Sequence, residues 1–346
     1  MRPETEKELA ALIRAATSPV SITGGATRLR PGEGQGNRID LRALTGITLY
    51  EPEALTVVVR AGTPLAEVQA ALAAENQMLA FEPDPRDGST IGGVVAANAS
   101  GPRRVSAGAC RDAMLGIRMV TGEGEIIRNG GRVMKNVTGY DLVKLSAGAR
   151  GTLGAITEVA LKTAPVPPVR ATLRLTGLDD AGAIAAMTTA LTGPFDVTGA
   201  GRLTNGTVIL RLEGLAGSVE YRAGRLREAL GPQAAIETVE GDADFATLRD
   251  YGQTGEAALW RIVLRPSQAE PLLAQLPDPH IVDWGGALIR AEAPQDWRPD
   301  LPQGARADCE RGAAMSLPET DPVIARLNAG IRASFDPRGL LLEGAA

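Results

Sequence analysis

The stretch Ser-Thr-Ile-Gly-Gly-Val-Val-Ala-Ala-Asn-Ala-Ser-Gly, residues 89–101, decides how this chain is interpreted. Two hydroxyl side chains precede two adjacent glycines, and small residues follow them up to a second Ser-Gly pair. Glycine lets another group approach the backbone closely. Backbone N–H groups and hydroxyls that face one point suit a polyanion, so the stretch predicts a phosphate-bearing ligand. Taken alone, the same pattern also fits a tight turn in a packed domain.

Length and composition indicate an ordinary globular protein of more than one domain. The chain has 346 residues, of which 44% are hydrophobic and 22% charged, enough for two or three cores. The net charge of -5 disfavours nucleic acid as a partner, because nucleic acid requires a basic face. The chain has no apolar run long enough to cross a bilayer and no signal-peptide pattern, so we expect a cytoplasmic protein.

Cysteine and histidine are scarce, and this restricts the catalytic and metal chemistry. Two cysteines, Cys110 and Cys309, are too few for a disulfide framework or an iron–sulfur cluster held by cysteine alone. The single histidine, His280, lies at a predicted loop-to-strand junction. One histidine and two cysteines are fewer than the four ligands of a structural zinc site. No Gly-x-Ser-x-Gly sequence is present. We therefore expect no metal site, and the sequence assigns no catalytic base.

Hydrophobic patterns predict helices and strands in both halves of the chain, with a proline-rich break between them. Thr63 and Pro64 predict the cap and the first residue of one helix. The predicted elements of the first half are a helix over 5–16, strands over 20–22 and 55–60, a hairpin over 115–128, a helix over 140–145 and a strand with one dry face over 155–162. The run Ala-Pro-Val-Pro-Pro at 164–168 ends regular structure. We predict a domain over 1–165 and an α+β domain over 166–346 that ends in a helix.

Two more glycine-rich segments bear on the ligand. The sequence Thr-Gly-Gly-Ala-Thr at 23–27 follows a predicted strand and offers several N–H groups between two threonine hydroxyls, which suits a pyrophosphate. A third segment, Gly-Thr-Leu-Gly-Ala-Ile-Thr, occupies 151–157. The glycines at 32–36 follow a proline and precede no helix pattern, so they do not meet the dinucleotide fingerprint.

The order of these segments resembles the FAD-binding domain of the vanillyl-alcohol oxidase family. The segments at 23–27, 89–101, 111–116 and 151–157 carry this resemblance. Three others resemble more narrowly the FAD-binding E subunits of bacterial glycolate oxidases, namely those at 101–104, 133–142 and 283–288. The resemblance implies an α+β fold: a PCMH-type FAD-binding domain of two α+β subdomains, followed by a smaller α+β C-terminal domain.

The resemblance also implies which residues contact FAD. The first loop would embrace the pyrophosphate, and the second stretch would line the other side, with backbone donors that reach phosphate or flavin. The implied cofactor-binding residues are Thr23, Gly24, Gly25, Ala26, Thr27, Ser89, Thr90, Ile91, Gly92, Gly93, Asn98, Ser100, Gly101, Gly108, Asp112, Gly154 and Ile156. Relatives with covalent flavin often have histidine in the first loop, where this chain has Ala26 and Thr27. With Cys110 interpreted as a small buried hydrophobe, we expect non-covalent FAD.

As to function, the resemblance implies the FAD-binding subunit of a glycolate oxidase complex that oxidises glycolate to glyoxylate. Electrons would pass to partner subunits, a second flavoprotein and an iron–sulfur protein, with attachment to the inner membrane only through partners. Arginine pairs both oxygens of a carboxylate, so the candidates for substrate binding are Arg211, Arg261, Arg265 and Arg290. Two alternatives stay open: a self-sufficient FAD-dependent D-2-hydroxy-acid dehydrogenase that acts on a substrate such as D-lactate, and a non-catalytic assembly subunit.

Overall fold

The computed structural model describes residues 1–131, 139–313, 317 and 321–342 and divides into two compact units. Unit 1 comprises Met1–Ser100, Ala109–Pro165 and Pro318–Ala346, and unit 2 comprises Gly101–Gly108 and Val166–Leu317. Residues 133–138 of the segment that resembles glycolate oxidase E subunits lie outside the described residues.

Helices and strands occur in both units. The strands are β1 Val20–Thr23, β2 Asn37–Asp40, β3 Ile47–Glu51, β4 Thr56–Arg60, β5 Gln77–Met78, β6 Met114–Val120, β7 Ile126–Gly130, β8 Ala155–Lys162, β9 Ala164–Pro165, β10 Val169–Thr176, β11 Gly199–Arg202, β12 Val208–Gly214, β13 Ala235–Glu240, β14 Ala258–Val263, β15 His280–Asp283, β16 Leu288–Ala293 and β17 Arg306–Arg311. The helices are α1 Glu6–Ala15, α2 Leu65–Ala74, α3 Ile91–Ala96, α4 Arg104–Ala107, α5 Cys110–Ala113, α6 Leu142–Ser146, α7 Asp180–Thr192, α8 Ala216–Leu230, α9 Ala243–Asp250, α10 Ala269–Leu273 and α11 Pro322–Phe335.

Unit 1 is built on a five-stranded antiparallel sheet in the order β3-β4-β8-β6-β7. Val57 and Val159 of this sheet pack with Leu72 of α2 and Val94 of α3 in one buried core. The predicted dry face of β8, formed by Thr157, Val159 and Leu161, is buried. On the opposite face Glu158 is half-buried and Lys162 exposed, but Ala160 is buried as well, because β8 is central in the sheet. A separate parallel pair, β1 and β2, leads into the loop at 24–27.

Local sequence explains where several elements begin. Thr5 accepts a hydrogen bond from the Glu8 N–H and caps α1, as Ser and Thr commonly do at helix starts. Thr90 caps α3 in the same way through the Gly93 N–H. Thr63, predicted as the cap of α2, instead donates to the Arg60 carbonyl at 2.7 Å and accepts from the Gly46 N–H, while Pro64 takes the cap position.

Unit 2 contains an eight-stranded antiparallel sheet in the order β13-β10-β12-β11-β15-β16-β14-β17. Leu210 and Trp260 of the sheet pack with Met187 of α7 and Leu226 of α8 in its core. The alternation of strands with covering helices is the α+β pattern predicted for this half. Trp260, Trp284 and Trp297, the three tryptophans of the chain, all belong to this unit.

The C-terminal segment groups with unit 1, which differs from the predicted second domain of 166–346. The physical reason is backbone pairing: the Val20 N–H of β1 donates to the Leu340 carbonyl at 2.8 Å, and the Leu342 N–H donates to the Val20 carbonyl at 3.2 Å. Asp336 accepts from the Leu341 N–H at 2.6 Å and fixes the turn before this pairing. The tail therefore covers one edge of β1.

Candidate functional site

Segments far apart in the sequence line one crevice in unit 1. It holds about 350 Å³ of empty space, including the part open to solvent. Six of the predicted cofactor-binding residues line it: Gly24, Thr90, Gly92, Gly93, Gly154 and Ile156. The other lining residues are Ile22, Leu41, Ala61, Ala96 and Gly151.

Glycines form this crevice for two different reasons. At Gly24 and Gly92, an added Cβ would lie 2.2 Å from Thr90 Oγ1 and 2.7 Å from Ala61 Cβ, so these positions let the chain segments pack together. At Gly93, an added Cβ would meet only Thr90 Oγ1 at 3.4 Å, an ordinary contact. Gly93 therefore leaves room for another group, whereas Gly24 and Gly92 serve internal packing.

The loop at 24–27 presents a row of available donors. Among the described residues, the backbone N–H groups of Gly24, Gly25, Ala26 and Thr27 donate no hydrogen bond. Ala26 has a φ of 57°, and such left-handed positions in turns make successive N–H groups converge into an anion-binding concavity. The loop thus combines four backbone donors that have no acceptor within the described residues with one left-handed residue.

The N–H groups of α3 are used inside the protein, which corrects the expectation that they reach phosphate or flavin. The Ile91 N–H donates to the Thr63 carbonyl at 3.0 Å, and the Gly92 N–H donates to the Ala61 carbonyl at 2.8 Å. The Gly93 N–H donates to Thr90 Oγ1 at 3.3 Å. These residues can therefore offer surface to a ligand but not those backbone donors.

A buried ion cluster supports the loop and was not predicted. Arg28 donates to Thr27 Oγ1 at 3.3 Å, to Ser89 Oγ, and to Asp84 Oδ1 at 2.9 Å. Arg86 pairs with Asp84 and donates to the Thr27 carbonyl at 2.8 Å. Burial raises the pKa of Asp84, but the charges and hydrogen bonds of Arg28 and Arg86 outweigh burial and lower this pKa from 3.8 to about 2. The cluster has two cations and one carboxylate beside two predicted cofactor-binding residues.

Three more of the predicted residues, Asn98, Ser100 and Asp112, accept hydrogen bonds within the protein. Asn98 Oδ1 and Ser100 Oγ accept from the Arg111 and Cys110 N–H groups, both at 2.9 Å. Asp112 accepts from the Ala109 N–H at 2.9 Å. The predicted residues that lie outside the crevice lining are Thr23, Gly25, Ala26, Thr27, Ser89, Ile91, Asn98, Ser100, Gly101, Gly108 and Asp112, of which Gly101 and Gly108 belong to unit 2.

Cys110 is fully buried, and burial raises the pKa of its thiol to about 12. A thiol must ionise to act as a nucleophile, so Cys110 is protonated and unreactive at neutral pH. This agrees with its interpretation as a small buried hydrophobe.

The four candidate arginines of unit 2 differ sharply in their surroundings. Arg211 is completely buried, donates to the Thr198 carbonyl and stacks on the Phe245 ring at 4.4 Å. Arg290 donates to Glu310 Oε2 at 2.8 Å, and Arg265 is exposed beside a short 3₁₀ turn. These contacts make Arg211 and Arg290 parts of the protein's own polar network.

Of the three candidates that are not exposed, Arg261 has the guanidinium with the longest ion-pair distances. Its nearest carboxylate oxygens, on Asp308 and Glu310, both lie at 3.9 Å, and it lies 5.3 Å from the centre of the Trp284 ring. Burial, assisted by the nearby guanidiniums of Arg290 and Arg104, lowers the pKa of Arg261 against the opposing effect of the carboxylates. Such a partly desolvated cation can accept an anionic ligand.

His280 lies at the first residue of β15, and its ring Nδ1 is 3.1 Å from Asp278 Oδ1 and 3.3 Å from the Pro277 carbonyl. These neighbours are local in sequence, so the histidine has the boundary position that its sequence context indicates. Among the described residues, no group of His, Cys, Asp and Glu side chains is arranged to hold a metal ion. Within the same part of the chain, every helix is too short or too polar to cross a membrane.

Comparison with known proteins identifies a flavoprotein domain. Residues 1–130 match the family described as "FAD binding domain". The solved structure of alkyldihydroxyacetonephosphate synthase superposes over 99% of this chain and 76% of its own with a TM-score of 0.68 and 15% sequence identity, which shows a common fold.

Sequence comparison places the chain more narrowly. It is 38% identical over 276 residues to "Glycolate oxidase subunit GlcE" of Escherichia coli K12, covering 78% of this chain and 75% of that protein. D-lactate dehydrogenase of Anaerostipes hadrus is 38% identical over 168 residues, which are 46% of this chain and only 35% of that enzyme. The chain belongs to the GlcE family of FAD-dependent oxidoreductases.

The cofactor of that family is FAD, and the crevice with its loop is the candidate place for it. Four N–H groups at 24–27 donate no hydrogen bond within the described residues, Gly93 leaves open space, and the Arg28 cluster contributes positive charge close to the loop. Bound FAD accepts a hydride equivalent from its substrate. The backbone donors at 24–27 and the glycine-lined crevice are the candidates that would hold the cofactor.

Proposed function

We propose that this chain is the FAD-holding subunit of a glycolate oxidase complex, with the diphosphate of FAD bound by the loop at 24–27. The observation that carries this proposal is the row of N–H groups at Gly24 to Thr27 without internal acceptors, next to a crevice lined by glycine. Backbone N–H groups oriented in this way recognise phosphate oxygens without a dedicated side chain. The predicted residues at 89–93 would line the opposite wall.

The substrate assigned here is glycolate, oxidised to glyoxylate with loss of two electrons and two protons. Support comes from the name of the relative that matches over most of its length, a subunit of glycolate oxidase. A second flavoprotein subunit and an iron–sulfur subunit would take part in the reaction and receive the electrons. The complex would be cytoplasmic, with any membrane attachment supplied by partners.

The test is purification of the chain alone and from its native host. Alone, we expect a yellow protein with an FAD spectrum, released by denaturation because the link is not covalent, and with little glycolate turnover. From the host, a tagged chain should bring down a second flavoprotein and an iron–sulfur protein, and the complex should oxidise glycolate. A colourless chain that takes up no added FAD would contradict the proposal.

A second candidate function is favoured by Arg261: turnover of a small 2-hydroxy acid by this subunit itself. The guanidinium could pair with the substrate carboxylate because its own carboxylate neighbours are 3.9 Å away. Arg261→Met is then expected to raise KM for the hydroxy acid about 30-fold, measured in the isolated chain or in the complex, whichever is active. This factor corresponds to about 2 kcal/mol, the contribution of a hydrogen bond to a charged group.

Steady-state kinetics with glycolate and D-lactate would measure this effect. Arg265→Met is the matched control, because Arg265 is exposed, and it should leave KM unchanged. An unchanged KM in the Arg261 variant would eliminate Arg261 from substrate binding and leave the first function in place.

A further inference from the structure

The segment Gly101–Gly108, which we call the linking segment, belongs to unit 2, while the residues on both sides of it belong to unit 1. The chain therefore leaves unit 1 immediately after the residues that follow α3, and it returns at α5. One set of hydrogen bonds joins the two ends of this excursion within unit 1, and a second set holds the segment itself within unit 2.

Side-chain acceptors close the stem of the linking segment in unit 1. Ser100 Oγ accepts from the Cys110 N–H and Asn98 Oδ1 accepts from the Arg111 N–H, both at 2.9 Å. Asn98 has a φ of 47°, a left-handed conformation that asparagine tolerates better than most residues. Its N–H donates to the Val95 carbonyl at 2.9 Å, so the stem continues directly from α3.

A buried ion pair holds the linking segment in unit 2. Arg103 donates to Glu213 through Nε at 3.0 Å and through Nη2 at 2.6 Å, a bidentate arrangement, and the two side chains are only 7% and 5% exposed. Asp242 Oδ2 lies 3.4 Å from Arg103 Nη2. The Trp284 indole N–H also donates to the Gly101 carbonyl at 3.0 Å.

We propose that the Arg103–Glu213 pair is a positioning pair for the FAD site, although Glu213 belongs to the other unit. Removal of the carboxylate would leave a buried guanidinium that has lost its closest partner, which favours release of the segment. Both ends of the segment are covalently joined to the stem, where the Asn98 bond is already exposed to water and the Ser100 bond is partly buried. Release of the segment removes its restraint on the two strands of the stem, so both bonds open more often. Because α3 ends at this stem, the wall of the crevice loosens with it.

This inference rests on the proposed placement of FAD against α3, and it is tested with Glu213→Gln in the full chain. Asp244→Asn is the matched control, because it breaks another bidentate pair of unit 2, formed with Arg174 at 2.6 and 2.9 Å. Two quantities are measured: the Kd for FAD, by flavin fluorescence, and amide hydrogen exchange at Cys110 and Arg111 in the apoprotein. Tryptophan fluorescence, whose three emitters lie in unit 2, follows the unfolding of that unit.

We expect Glu213→Gln to raise the Kd for FAD about tenfold and to speed exchange of both amides by a similar factor. Asp244→Asn should lower the unfolding midpoint of unit 2 but leave both quantities within about twofold. Arg103→Lys keeps the charge but loses the bidentate hydrogen bonds of the guanidinium. Its Kd for FAD and its exchange rates should lie between those of the wild type and Glu213→Gln, and it replaces Glu213→Gln in the test if that variant does not fold.

Equal behaviour of the Glu213 and Asp244 variants, with FAD affinity and exchange both unchanged, would overturn the proposal. Faster amide exchange with an unchanged Kd for FAD would also contradict the proposal, because loosening next to α3 would then not affect the ligand, and FAD would not lie against α3. Failure of the wild-type chain to bind FAD is a different result, because it contradicts the proposed function before any variant is compared.

Discussion

Gly93→Val is expected to weaken FAD binding about 100-fold, equivalent to about 3 kcal/mol, while the protein stays folded. The position is in α3 and lines the crevice, and a Cβ there meets only Thr90 Oγ1 at 3.4 Å. An added Cβ therefore fits at Gly93, and the valine methyl groups beyond it would occupy space that the proposed ligand needs. Flavin fluorescence titration of the apoprotein measures the change in Kd.

Two further glycine variants give this prediction its controls. Gly224→Val makes the same substitution in α8, where an added Cβ meets nothing within 4 Å, and it should leave the Kd for FAD unchanged. Gly25→Ala should instead damage the fold, because its Cβ would lie 1.8 Å from the Gly88 carbonyl oxygen. Full FAD occupancy in folded Gly93→Val protein would show that the ligand binds elsewhere.

Asp84→Asn is expected to destabilise unit 1 by about 3 kcal/mol at neutral pH, because it removes the carboxylate between two cations. Arg28 and Asp84 have side chains that are only 8% and 14% exposed, so solvent screens their interaction weakly. The loss is measured by urea unfolding, with amide exchange of residues in β1 and β2 as the probe of unit 1. Glu228→Gln removes an exposed partner of Arg225 and should cost less than about 1 kcal/mol.

The same carboxylate predicts an acid-dependent loss of stability. The pKa of Asp84 is lowered from 3.8 to about 2 on folding, so its contribution is complete above pH 4 and is lost as the pH falls towards 2. The difference corresponds to about 2 kcal/mol. Asp84→Asn protein should lack this part of the acid transition, and an identical pH profile in both proteins would refute the assignment.

The sequence was sufficient to predict the glycine segments and the α+β class, because turn chemistry and hydrophobic period are local properties. It did not predict that residues 91–96 form a helix, since adjacent glycines disfavour helices. That helix forms because Gly92 packs against Ala61 without a side chain between them, and Thr90 caps its first turn. Tertiary packing outweighs propensity here.

The charged part of the site could not be predicted because its members meet only in the folded chain. Arg28 and Asp84 are far apart in sequence, and neither lies in a glycine motif. The only local signal was the Asp-Pro-Arg-Asp-Gly run at 84–88, directly before Ser89. In the same way, the sequence does not distinguish Arg261 from Arg211 and Arg290, because all three lie on predicted strands. Only the folded structure shows that Arg211 and Arg290 are buried, whereas the nearest carboxylate oxygens of Arg261 are 3.9 Å away.

The pairing of β1 with residues 340–342 has a consequence during biosynthesis. Almost the whole chain is translated between these two segments, so β1 emerges from the ribosome long before the partner that covers its edge. An uncovered edge strand invites pairing with other chains. Nascent polypeptides should therefore pass through a long aggregation-prone stage, in which the loop that follows β1 is not yet anchored on that side.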